Sequence, residues 1–156
     1  MTARRALALA LAGGLAAAAF AAPAALPAEL AALAHAARID PAIAHWCPVN
    51  LGRERPPAYA VAVASPSGGG RYLVLGGGGP AIELGHFAGA AELSCNTPAE
   101  ARQLDAAIRA SETLQGRIEP VGQSTVVCGF VKQTSALCWQ YAPDVRRFVK
   151  VGDWMT

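Results

Sequence analysis

The chain has 156 residues with 13 basic and 11 acidic side chains, four cysteines, and a hydrophobic fraction of 53%, which excludes a disordered class. Arg4 and Arg5 fall in a leader, leaving 11 basic residues against 11 acidic ones. That balance excludes the concentrated positive field that nucleic acid or an anionic membrane surface would require of a partner.

Residues 1–21 read as a signal peptide: Arg4 and Arg5, an apolar run over 6–20 rich in Ala, Leu and Gly, then Ala19-Phe20-Ala21 as a small-x-small cleavage site. The competing reading is an uncleaved anchor helix. Its weakly apolar alanine content and the cleavage pattern argue against it, so no stable membrane span is expected after cleavage. No cysteine follows the apolar run closely, which argues against a lipid anchor. Export to the periplasm or the extracellular space is the expectation, with 22–26 a loose leader and 27–156 a single disulfide-stapled domain.

Residues 27–38 predict a helix, with Pro27 in the first turn, Glu29 at the positive end, and Leu30, Leu33, Ala34 and Ala37 in one apolar stripe. Asp40-Pro41 predicts a second helix start, running through Trp46 and ended by Cys47-Pro48. Residues 50–57 are loop. Alternating residues 59–64 and the run 72–75 predict a hairpin whose tip is the Pro, Ser and Gly stretch 65–70. Gly76 to Gly79 lacks the Gly-Lys-Ser/Thr ending of a phosphate loop and reads as a strand connector. Residues 81–86 and 90–95 are shorter strand candidates.

Thr97-Pro98-Ala99-Glu100 is a capping box with Pro at the first helical position, predicting a helix over 98–114. Ala101, Leu104 and Ile108, with Ser111, form its core face, Asp105 pairs with Arg109, and Gly116 supplies the C-cap. Residues 117–119 and 147–154 are further strands. Together these elements give an α+β fold: a largely antiparallel sheet built from hairpins, with the N-terminal helix and the long capped helix packed on it.

Residues 124–141 form the best-specified hairpin. If Lys132, Gln133 and Thr134 make a three-residue loop, Val131 faces Ser135 and Cys128 faces Cys138. Opposed Cα atoms about 4.5–5.5 Å apart lie within the disulfide window. The same register places Val127, Leu137, Trp139 and Tyr141 on one core face; a four-residue loop would turn the cysteines to opposite faces. Lys-Gln-Thr lacks the Gly or Asn that three-residue loops favour.

The even cysteine count predicts two bridges, Cys128 with Cys138 and Cys47 with Cys95. Zinc would need closely spaced ligand pairs, which are absent, and neither a metal nor any other cofactor is expected. His45-Trp46-Cys47 would support thiol chemistry only with a free Cys47. Glu83 and Glu92 are the least unsuitable carboxylate pair for a glycosidase, and no Gly-x-Ser-x-Gly elbow exists. Arg146, Arg147 and Lys150 read as a solvated strand edge. Trp46, Trp139, Trp154, Tyr59, Tyr72 and Tyr141 are expected mostly in the core, leaving the loops 65–71 and 76–80 as the recognition surface.

The favoured reading is a monomeric binding domain of the cell envelope, an inhibitor or accessory protein whose partner is an unknown protein or envelope ligand, rather than an enzyme. An envelope hydrolase with a site assembled from scattered residues, and a structural envelope component, are the alternatives.

Overall fold

Strict alternation of small and larger side chains over residues 58–64 decides how the chain layers. The computed structural model describes residues 25–39 and 42–156. The expected signal peptide, residues 1–21, lies outside them, as do Asp40 and Pro41. In chain order the elements are α1 (Ala28–Ala36), β1 (Ile43–Val49), β2 (Ala58–Ala64), β3 (Gly70–Gly76), β4 (Ile82–Phe87), β5 (Leu93–Asn96), α2 (Pro98–Ala110), β6 (Gln115–Ile118), β7 (Val126–Lys132), β8 (Ser135–Ala142) and β9 (Arg147–Met155). They form two antiparallel sheets, ordered β1-β2-β3-β4 and β5-β7-β8-β9-β6. The fold is α+β and largely antiparallel.

One face of the first sheet, through Val61, Val63, Leu73 and Leu75, packs on Leu30 and Ala34 of α1. Its other face presents Ala58, Ala60 and Ala62, and there the second sheet contributes Val127, Trp139 and Tyr141. Alanines on β2 leave room for these large rings, which accounts for an alanine-heavy core that is nonetheless filled. The outer face of the second sheet, with Val126, Cys128, Cys138 and Val151, is covered by Ala101 and Ile108 of α2. The order of layers is therefore helix, sheet, sheet, helix.

Tyr72 ties the two sheets together. Its ring rests where Gly129 has no side chain, since a Cβ there would lie 2.7 Å from the ring carbons. Its hydroxyl donates to the Phe130 carbonyl of β7 at 2.6 Å and to the carbonyl of Glu92, just before β5, at 2.9 Å. Burial pushes the Tyr72 phenol above its ordinary pKa, and the nearby Glu92 carboxylate adds to the rise against the lowering effect of the Glu92 carbonyl.

Several expectations need correction. The predicted helix ending at Trp46 is instead β1, paired with β2 from Ile43 to Val49. Tertiary pairing outweighs a local cap signal, and Pro48 is tolerated because β1 is an edge strand that needs no donor on its outer side. The 98–114 helix stops at Ala110: the Ser111 hydroxyl accepts from the N–H groups of Thr113 and Leu114, and the chain leaves in an extended conformation. Gly116 is no C-cap but part of β6, at φ +150°. The strand candidates 81–86 and 90–95 correspond to β4 and β5, which fall in different sheets.

The 124–141 hairpin has Cys128 opposite Cys138, but its turn differs. Lys132 pairs with Ser135 across a two-residue turn, and an irregularity between Phe130 and Lys132 absorbs Val131. The extra residue compensates for the shorter turn and restores the register beyond it. Val127, Trp139 and Tyr141 are buried on the shared inner face, with Leu137 half-buried beside them.

Candidate functional site: an arginine-lined margin between the sheets

The two side margins of the sandwich are built differently. On one margin Cys47 of β1 and Cys95 of β5, the facing edge strands, are bonded with an S–S distance of 2.05 Å and a Cα separation of 5.9 Å. The second bridge, Cys128 to Cys138, lies within the second sheet under α2. Away from that margin, β4, the other edge of the first sheet, faces β9, which β6 flanks in the second sheet, and no disulfide joins the two. There two concavities of about 640 and 480 Å³ meet at Arg146.

The larger concavity is walled by the loop after β1, with Arg53, Glu54 and Arg55, and by Tyr141 and Arg146. Arg55 is held in place: its guanidinium stands 5.0 Å from the Tyr141 ring centroid, donates to the Tyr141 hydroxyl at 2.5 Å, and reaches the Gly77 carbonyl at 3.5 Å. Stacking of a guanidinium on an aromatic face fixes the group while leaving other N–H donors free. The smaller concavity has half-buried Ile82, Leu84 and Phe148 on its walls and Lys150 at its rim. Phe148 is itself packed edge-on against Tyr141, with 5.6 Å between ring centroids.

Arg146 is one of two non-glycine residues with positive φ among those described, at +51° in the β8–β9 turn. Left-handed backbone costs a residue with a side chain roughly 1–2 kcal/mol, a cost that glycine avoids. The chain nonetheless keeps an arginine at the point where both concavities open. Arg53, Arg55, Arg146 and Arg147 make no ion pair among the described residues, whereas Lys150 pairs with Asp153 at 2.5 Å. In a chain of formal net charge +2, this margin gathers four arginines that have no ion-pair partner among the described residues. The expected solvated edge of Arg146, Arg147 and Lys150 is thus one wall of a groove completed by Arg53 and Arg55.

The other candidates are placed as follows. Glu83 lies on β4, and Glu92 lies in the loop just before β5. Glu83 faces outward, with its carboxylate 3.4 Å from His86 Nε2 and 3.5 Å from Arg71. The imidazole is 71% exposed, and the carboxylate is shared with Arg71, so this group lacks the water-excluding cleft that acid–base catalysis exploits. Cys47 is bonded and His45 is exposed, so His45-Trp46-Cys47 holds no thiolate. Among the described residues, no three His, Cys, Asp or Glu side chains cluster as metal ligands, and no helix is long and apolar enough to cross a membrane.

Local sequence carries no signal for the groove, because Arg55 and Tyr141 are 86 residues apart and meet only when the two sheets close on each other. No protein-family model, no curated protein and no solved structure matches this chain.

Proposed function

We propose that this chain is an exported binding module of the cell envelope, an inhibitor or accessory protein that captures a partner in the groove between β4 and β9. The observation that carries the reading is that Arg53, Arg55 and Arg146 line one concavity and none has an ion-pair partner among the described residues. Unpaired guanidinium groups in a concave site are donors awaiting acceptors. The N-terminal pattern of Arg4, Arg5 and an apolar run ending in Ala19-Phe20-Ala21 supports export, and two disulfides suit an oxidising compartment. The rival reading, a hydrolase built around Glu83 and His86, has weaker support because that pair stands on an open sheet face.

Affinity capture from envelope extract, with wild type beside Arg53→Glu/Arg146→Glu, tests the proposal. Loss of two charge-assisted contacts at roughly 1.5 kcal/mol or more each should cut recovery of a stoichiometric partner by about a hundredfold. Equal recovery by the two proteins would show that the groove is not the binding site.

A further inference from the structure

The groove consists of two concavities that share Arg146, and its cations are divided between them, Arg53 and Arg55 on one and Arg147 and Lys150 on the other. From Arg147, which opens β9 next to Arg146, Lys150 lies three residues farther along the strand, about 10 Å at a strand rise of roughly 3.4 Å per residue. The concavity that shares Arg146 is lined by Arg53 and Arg55. A compact oxyanion is best held by donors converging from several directions or by a helix N-terminus, and no residue of either helix lines this groove. A nucleic acid or membrane surface would call for a broad positive face, whereas here the cations are confined to a concavity whose border also carries Glu54 and Glu83.

Resting on the binding reading above, we infer that the occupant is an extended acidic segment of a partner protein, its carboxylates meeting Arg53, Arg146 and Lys150. The guanidinium fork matches a carboxylate in two parallel hydrogen bonds. Alternate side chains of an extended polypeptide stand about 7 Å apart, so carboxylates at every second position suit cations divided between two joined concavities. The half-buried surfaces of Ile82, Leu84 and Phe148 receive the aliphatic stems between them. Lys150 already holds one carboxylate, that of Asp153. A partner carboxylate replaces it without leaving a buried charge, because both side chains are about half exposed.

The test uses a fluorescent ten-residue peptide alternating Glu and Thr, its Gln-Thr counterpart, and inorganic polyphosphate. The intact mature protein is compared with Arg146→Gly, which suits the left-handed turn and so preserves the fold, and with Arg102→Glu, an exposed change on α2 outside the groove. The Glu-Thr peptide should bind, with affinity falling as salt rises. Arg146→Gly should weaken it about tenfold, Arg102→Glu should leave it unchanged within about twofold, and the Gln-Thr peptide should not bind. Tighter binding of polyphosphate, with the same dependence on Arg146, would overturn the acidic-peptide assignment while leaving the groove as a binding site. If no probe responds to Arg146→Gly, the peptide assignment falls and the groove reading falls with it.

Discussion

Removing the Cys47–Cys95 bridge by the double change Cys47→Ser/Cys95→Ser separates the part of stability that resides in the unfolded chain from the part that resides in packing. The bridge closes a segment with a sequence separation of 48 residues. On the loop-closure model such a cross-link removes unfolded-state entropy worth about 4 kcal/mol, against about 3 kcal/mol for the 10-residue separation of Cys128 and Cys138. A domain of this size is stable by roughly 5–15 kcal/mol, so the long bridge supplies a large share of the total. Both cysteines are only half-buried, at the surface edge of the two sheets. Lost packing is therefore a minor part of the change. Urea unfolding followed by tryptophan fluorescence, Trp46 being next to the mutated site, should show the midpoint falling by about 2 M for a slope near 2 kcal/mol/M. A loss below about 1 kcal/mol would refute the reasoning, since it would mean the open chain is already as restricted as the bridged one.

Two further outcomes follow from the inter-sheet contacts. The raised pKa of Tyr72 means that the folded protein holds the phenol proton more tightly than the unfolded chain. The Tyr72 contribution is therefore complete below about pH 10 and is lost as pH rises through the folded pKa. Wild type should thus lose stability above about pH 10 more steeply than Tyr72→Phe; parallel urea midpoints as pH rises past about 10 would sink the argument. Gly129→Ala pushes a methyl group to 2.7 Å from the Tyr72 ring, whose hydroxyl is anchored beyond it, and should cost about 1–3 kcal/mol in thermal or urea unfolding. Wild-type stability in this variant would show that the ring is free to move.

Where a structural instruction is local, it could be read from the sequence. Thr97 and Glu100 satisfy each other's backbone donors within one turn, and the helix begins where that pattern places it. The alternation at 59–64 likewise specifies a two-faced strand. Illegible features depend on partners remote in the chain. The region around Asp40-Pro41 carries a local helix signal, yet residues 43–49 become a strand because β2 offers them a ladder. Val131 yields its place in the register because a two-residue turn forms. Asp105 was expected to pair with Arg109, and it does so at 2.9 Å, but its other oxygen accepts from the Ile118 N–H and buries the carboxylate. The groove arginines belong to the same class, since nothing near Arg53 or Arg55 announces Tyr141.

Covalent closure along only one side gives the sandwich a direction in which it can give way. Cys47 and Cys95 act as the spine of a book, so the sheets part most readily at the fore-edge where β4 faces β9 and the arginines stand, the end of β4 being linked to β7 by a single backbone hydrogen bond among the described residues, the Ala88 N–H donating to the Val131 carbonyl. Amide protons near that fore-edge should exchange with solvent before those beside the spine. A chain laid into the groove would clasp the pages shut, coupling occupancy to the stiffness of the whole fold without altering its outline.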